Sequence, residues 1–172
     1  MFVYESYIDK KICKDLINLF EKEKKVKENN DHTKMTTVFL NRSDSNLFDY
    51  LSALTKILEK YKKKYKYIDQ EQEPWEIHEQ IKIQKYEPGQ SYFRYHSESS
   101  GYNGNNNRIL VFSSFLNNIE KGGETEFFYQ KQKIKVKEGK TILFPPFWTH
   151  THKGNIATET KYIITGWYTY VH

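Results

Sequence analysis

Between Trp75 and Val171 the apolar residues fall at every second position, in short runs. Trp75, Ile77, Ile81 and Ile83 alternate with polar neighbours, which is the pattern of a half-buried strand. Further strand-like runs lie at 92–98, 108–116, 125–129, 134–136, 141–144, 147–152 and 161–171. Pro88-Gly89 marks a turn, Gly122-Gly123 separates two runs as in a hairpin, and Pro145-Pro146 turns the chain before 147–152. Many short strands of this kind bury their apolar faces by closing into a sandwich or barrel. Residues 99–107 form a loop with few packing side chains, suited to a lid or to a long connection.

Before Trp75 the period is helical. Ile8, Ile12, Leu16 and Phe20 make one stripe, with Cys13, Ile17 and Leu19 beside it and Asp9 in position to cap it. Leu47, Leu51, Leu54, Leu58, Tyr61 and Tyr65 make a second, with Asp44 or Ser45 as the cap. Residues 25–35 are polar and turn-rich, and a short strand is expected at 36–40. The expectation is a mainly β fold with N-terminal helices: one domain over 1–172, with 1–70 as helical support and 75–172 as the β core. Fourteen Tyr and eleven Phe suit such a fold.

The formal charge is +5, with many lysines between Lys56 and Lys66. That cluster reads as the solvated end of a helix in preference to a nucleic-acid patch. No apolar run is long enough to predict a membrane span, and no basic-then-apolar leader is visible. Cys13 is the single cysteine, so a disulfide framework is excluded and a cytoplasmic setting is expected.

Strand parity points to chemistry. Side chains at i and i+2 share a face, so His96 and Glu98 point the same way, as do His150 and His152, and as do Lys161, Ile163, Thr165 and Trp167. If these faces line one interior, two histidines and a carboxylate converge, the donor set of non-haem iron(II) oxygenases. A lysine on an interior face needs an anionic partner, which a bound dicarboxylate supplies. The structural alternative is a pair of ordinary hydrogen-bonded histidines.

From about Gln84 to Tyr170 the sequence resembles the iron(II)/2-oxoglutarate-dependent dioxygenases, in their prolyl 4-hydroxylase-like branch. The resemblance rests on Gln84-Lys85-Tyr86, Gly89, Tyr92, His96-Ser97-Glu98, Arg108, Phe115-Leu116-Asn117, Gly122-Gly123-Glu124-Thr125-Glu126-Phe127, Phe144-Pro145, His152-Lys153-Gly154, Lys161 and Trp167. It implies a double-stranded β-helix, a cupin-like jelly roll. It implies His96, Glu98 and His152 as catalytic iron ligands. Lys161 would pair with the distal carboxylate of 2-oxoglutarate, with Tyr86 hydrogen-bonding the same group, and Arg108, Trp167 and Tyr92 would contact substrate. The cofactors implied are Fe(II), 2-oxoglutarate as cosubstrate and O2, with ascorbate as an optional addition. The implied reaction is hydroxylation coupled to decarboxylation of 2-oxoglutarate to succinate. The partner implied is a peptide or protein substrate bearing a prolyl residue, with another side chain or a small amino acid as the alternative.

Three departures from the family pattern stand out. Glu98 replaces the usual aspartate and is one methylene longer. The interval from His152 to Lys161 is nine residues, one short of the usual spacing; His150 would make it longer, and His152-Lys153-Gly154 fits the family's His-x-Gly better. Ile156-Ala157 replaces a Pro-Val pair. Glu98 invites a second reading, a cupin-like metal-binding protein without oxygenase activity. A basic nucleic-acid module ranks last, because it leaves Lys161 and the Gly-Gly-Glu-Thr box unexplained.

Overall fold

The computed structural model describes residues 1–70, 72–101 and 104–171. In chain order the elements are β1 (Tyr4–Tyr7), α1 (Lys10–Lys22), β2 (Val26–Asn29), β3 (Lys34–Leu40), α2 (Phe48–Lys64), β4 (Trp75–Glu76) and β5 (Ile81–Tyr86). They continue with β6 (Arg108–Phe115), β7 (Thr125–Phe127), β8 (Gln132–Ile134), β9 (Lys140–Phe144), β10 (His152–Gly154) and β11 (Lys161–Tyr170). Among the described residues these strands form two antiparallel sheets. The major sheet runs β1-β9-β6-β11-β5-β3-β2, with β4 also pairing β11, and the minor sheet runs β10-β7-β8. This is the expected jelly roll.

Alternation along the central strands divides the core in two. On one face of the major sheet, Leu110 and Phe112 of β6 join Ile81, Ile83 and Ile164. The helices cover this face with Cys13, Leu16, Leu19 and Phe20 of α1 and Tyr50, Leu54, Ile57, Leu58 and Tyr61 of α2. On the other face, Val111, Phe115, Ile142, Phe144 and Trp167 pack with Phe127 and Ile134 of the minor sheet. The start of α1 is capped as expected, whereas α2 itself has no side-chain cap and the expected Asp44 caps the turn before it. Asp9 accepts from the Lys11 amide at 2.7 Å. Asp44 accepts from the Asn46 amide at 2.9 Å, in the single turn that leads into α2. Lys62, Lys63 and Lys64 occupy the last turn of α2, where the helix dipole favours cations.

Four expectations are corrected. Residues 1–70 are not only helical support, because β1, β2 and β3 extend both ends of the major sheet. β2 is mostly exposed and polar, an edge strand whose side chains carry no alternation to read. The hairpin from β2 to β3 turns on Asn30, whose side-chain oxygen accepts from the His32 and Thr33 amides. The run 75–83 is broken into β4 and β5. Residues 92–98 are not a regular strand and pair only through bridges at Tyr92 and His96. Residues 147–152 are not one strand: Trp148–His150 is a 3-10 turn held by His150 N–H to Phe147 O (2.8 Å) and Thr151 hydroxyl to Trp148 O (2.7 Å). Pro145-Pro146 offers no amide to a ladder there, which favours a turn over a strand.

Candidate metal centre

His96 and His152 sit directly opposite one another. Each backbone amide donates to the other's carbonyl, both at 2.9 Å, so the 92–98 segment joins the edge of the minor sheet at this pair. The imidazole rings lie 4.5 Å apart. Glu98 follows two residues later, and its amide and that of Ser99 both donate to Pro146 O at 2.9 Å. Glu98 Oε1 is then 3.2 Å from His96 Nε2 and 3.4 Å from His152 Nε2. One donor atom from each residue lies within 4.8 Å of the others.

The rings are oriented through their far nitrogens. His96 Nδ1 donates to Arg94 O at 3.0 Å, and His152 Nδ1 donates to His150 O at 2.9 Å. Fixing a proton on Nδ1 leaves Nε2 as the atom available to a metal, the support expected around a metal-bound histidine. Two imidazole nitrogens and one carboxylate oxygen suit Fe(II), so this donor set fits the ion that the resemblance implies. Burial raises the pKa of Glu98, but hydrogen bonds and charge from His152 and His96 hold the carboxyl well below the usual carboxylate range. Burial lowers that of His96, but Glu98 outweighs it and the net shift is upward.

His150 is not part of this group. The turn directs its Nε2 to Met1 O at 3.2 Å, and its ring meets the edge of Phe127. Its contribution to the cluster is its main-chain carbonyl, which holds His152.

The three residues line a cavity of about 680 Å³ that also contains Tyr86, Tyr92, Arg108, Lys161, Ile163, Thr165 and Trp167. The expected interior face of β11 therefore does face one space. Lys161 is 4% exposed; its ammonium donates to Gly123 O at 3.0 Å and lies 4.7 Å from the centre of the Tyr86 ring. Burial pulls its pKa down to about 8, against the charge of Glu124. Tyr86 stands opposite Lys161 in the β5–β11 ladder, and its hydroxyl donates to Gln84 Oε1 at 3.3 Å. Burial raises its pKa. Gly122 and Gly123 have φ of +80° and +74°, a region that favours glycine. A side chain at Gly123 would also crowd Val136, Ala157 and Lys161, so the tight turn is what brings the Gly123 carbonyl to the ammonium.

The residues expected at the substrate lie around the His96, Glu98 and His152 group. The Tyr92 ring is 4.0 Å from that of His96. Trp167 Nε1 donates to Glu98 Oε2 at 3.0 Å. Arg108 Nη1 donates to the Glu98 main-chain oxygen at 2.8 Å, while its Nε donates to Glu79 at 2.6 Å. Sequence reasoning missed Glu79, which lies in the turn between β4 and β5 and has no periodic signal. It also missed Glu28, His32 and Met35, which reach the cavity from the β2–β3 hairpin. Gln84 shares strand parity with Tyr86 and could have been found that way. His78 is exposed in the break between β4 and β5, and His172 lies outside the described residues. Ser100 and Asn105 of the asparagine-rich loop line the cavity and bond to each other, and Tyr102 and Asn103 lie outside the described residues.

Comparison with solved structures finds the same fold in prolyl hydroxylases. A viral collagen prolyl hydroxylase from Paramecium Bursaria Chlorella virus-1, in a 2OG complex, superposes with a TM-score of 0.76 at 19% identity, covering 99% of this chain and 97% of that one. A Pseudomonas putida prolyl-4-hydroxylase gives 0.76 at 13% identity, with 99% and 94% covered. A Trichoplax adhaerens prolyl hydroxylase, in complex with a hypoxia inducible factor oxygen degradation domain peptide fragment, gives 0.74 at 13% identity, with 98% and 83% covered. A comparison with curated proteins finds no match. The sequence profile of the 2OG-Fe(II) oxygenase superfamily matches residues 81–169, more than half of the chain and the whole stretch that holds the His96, Glu98 and His152 group. The chain belongs to the 2OG-Fe(II) oxygenase superfamily and is a 2-oxoglutarate-dependent dioxygenase, with Fe(II), 2-oxoglutarate and O2 as its cofactors.

Proposed function

We propose that this enzyme hydroxylates a prolyl residue within a peptide, with His96, Glu98 and His152 as its iron ligands. The observation that carries the ligand assignment is the convergence of two imidazole Nε2 atoms and one carboxylate oxygen within 4.8 Å. Bound Fe(II), together with 2-oxoglutarate and O2, supplies the oxidising power to insert one oxygen atom into a C–H bond while 2-oxoglutarate becomes succinate and carbon dioxide. The protein's own residues hold and orient. Arg94 O and His150 O keep the two Nδ1 protons in place, so both Nε2 atoms face Glu98 and are the ones that would bind the metal on losing their protons. Lys161 binds the distal carboxylate of 2-oxoglutarate as a charge-assisted pair, and the Tyr86 hydroxyl turns from Gln84 to the same group. Tyr92, against His96, borders the space left for the target carbon.

A peptide substrate is favoured by the mouth of the cavity. Tyr95 lines it, and from Tyr95 an edge-to-face series of rings runs outward through Phe128 (5.3 Å), Tyr129 (5.2 Å) and Trp148 (5.9 Å). The last three side chains are more than half exposed. Aromatic strips of this kind dock proline-rich segments in their extended left-handed form, and a free amino acid would leave the strip without a role. The relatives named above are prolyl hydroxylases, one of them with a peptide. The test is succinate release and oxygen incorporation with proline-containing peptides beside free proline, in the presence of Fe(II) and 2-oxoglutarate. Faster turnover of the free amino acid would refute the peptide reading.

A further inference from the structure

We infer that Trp167, Arg108 and Glu79 form a clamp that fixes Glu98, so that this long carboxylate presents one oxygen to the metal and keeps the other away from it. The inference rests on the reading of His96, Glu98 and His152 as the metal ligands.

The two oxygens of Glu98 face different surroundings. Oε1 faces the two histidine Nε2 atoms at 3.2 and 3.4 Å. Oε2 accepts from Trp167 Nε1 at 3.0 Å and lies 3.4 Å from Arg108 Nη1. The same Nη1 donates to the Glu98 main-chain oxygen at 2.8 Å, so one guanidinium holds both ends of the residue. The guanidinium is held in turn. Glu79 receives Nε at 2.6 Å and also pairs with Nη2, a two-point contact that sets the plane of the group. Arg108 Cζ lies 3.7 Å from the centre of the Trp167 ring, so the two donors to Glu98 brace each other. The side chains of Arg108 and Glu98 are 12% and 16% exposed, so water competes poorly for these contacts.

Glutamate has one more rotatable bond than aspartate, and an unclamped side chain would spread over several orientations. The clamp removes that freedom and directs Oε1 toward the imidazoles. It thus explains how the extra methylene is accommodated beside two histidines held by backbone pairing. Trp167, Arg108 and Glu79 are positioning residues on this reading. Arg108 and Trp167 direct their donors at the carboxylate, which gives them a task other than contact with peptide.

The test is calorimetric titration of Mn(II), a redox-stable probe, into the metal-free full chain. Trp167→Phe and Glu79→Gln should each weaken Mn(II) binding about 10- to 100-fold, as loss of a group supporting a ligand does. The decisive comparison repeats both substitutions on a Glu98→Asp background. The shorter carboxylate does not reach the indole N–H, so Trp167→Phe should change Mn(II) affinity there by no more than about twofold, and Glu79→Gln should cost clearly less than it does beside Glu98, because Arg108 then keeps only its bond to the main-chain oxygen of residue 98. Equal losses on both backgrounds would mean that they act through packing, and the clamp would be refuted. Unchanged affinity in both single variants would refute it as well. Should Trp167→Phe fail to fold, Glu79→Gln, whose side chain is 32% exposed, carries the same comparison. His96→Ala separates the two readings: unchanged Mn(II) affinity there overturns the ligand assignment, whereas loss there without loss in Glu79→Gln overturns the clamp alone.

Discussion

Lys161 should make the ligand-free protein less stable than it need be. Its ammonium is buried, and burial moves its pKa from 10.5 to about 8. At about 1.4 kcal/mol per unit, holding that charge inside at pH 7 costs about 3 kcal/mol relative to solvent. The hydrogen bond to Gly123 O and the Tyr86 ring are present in the same protein, and replacing the lysine leaves that carbonyl without its donor. Lys161→Met should therefore stabilise the metal-free, ligand-free protein at pH 7 by about 1–3 kcal/mol, or about 2–10 °C in Tm for a chain of this length. The gain must depend on pH with a defined sign. Between about pH 8 and 10.5 the unfolded chain keeps a proton on this lysine that the folded chain has released, so the wild type gains stability as pH rises. The gap between wild type and variant should close across that window. Urea denaturation of both proteins at pH 7 and pH 10 measures it. A second arm adds 2-oxoglutarate with Mn(II), which should stabilise the wild type and leave the variant nearly unchanged. A variant less stable than wild type at pH 7, with a gap that does not move toward pH 10, would show that Lys161 is a structural residue at ease in its site.

The same titration predicts that 2-oxoglutarate affinity falls about tenfold per pH unit above pH 8, because the anion binds the protonated lysine; a flat profile from pH 7 to 9.5 would count against Lys161 as the anchor. His152→Ala should abolish Mn(II) binding, while His150→Ala, whose ring faces Phe127 and Met1, should keep it within about threefold, well short of losing a supporting group. The reverse result would exchange the two residues. Gly122→Ala should destabilise the fold by about 3 kcal/mol or more, because it combines a positive φ with a collision against the Ile156 carbonyl; a loss below 1 kcal/mol, about what the backbone conformation alone costs, would show that the turn relaxes.

The parts legible in the sequence were those where burial imposes a period. Both helices bury most of the stripes that their spacing announced, although α2 also buries Tyr50 and Ile57 and leaves Leu51 and Tyr65 partly exposed, and Lys161, Ile163, Thr165 and Trp167 do share one interior face. Parity succeeded for His96 and Glu98 even though 92–98 is not a regular strand, because the backbone pair at His96 fixes the local alternation. It failed for His150 and His152, because Pro145-Pro146 and the Thr151 hydroxyl favour a turn in which spacing by two no longer means a shared face. Glu79 was invisible for another reason. Its role depends on a guanidinium 29 residues away in sequence, and an acidic residue in a turn carries no local mark of such a partner. The edge strand β2 was missed because it faces solvent and needs no alternation, and β1 because its four residues alternate in burial but not in residue type, with Tyr at both an inward and an outward position.

The division of labour between the two sheets explains how so short a minor sheet can build the proposed metal centre. The major sheet is anchored on one face by both helices and holds Lys161, Tyr86 and Trp167 through a ten-residue strand and its neighbours. The minor sheet contributes strands of three residues, too short for side-chain packing alone to fix a ligand to the tolerance that chemistry needs. Its proposed ligands are fixed by main-chain bonds instead. His96 and His152 exchange two, Arg94 O and His150 O orient their rings, and Pro146 O takes the amides of Glu98 and Ser99. Backbone geometry varies far less than side-chain rotamers, so these few contacts hold two imidazoles with little supporting core. Glu98 is the exception, since its carboxylate lies at the end of a flexible arm that no main-chain bond reaches. It is also the residue to which the major sheet lends an indole and a guanidinium. The donors from the large, well-packed sheet thus meet the small sheet's histidines at Glu98, the one member of the group that could not be fixed by backbone alone.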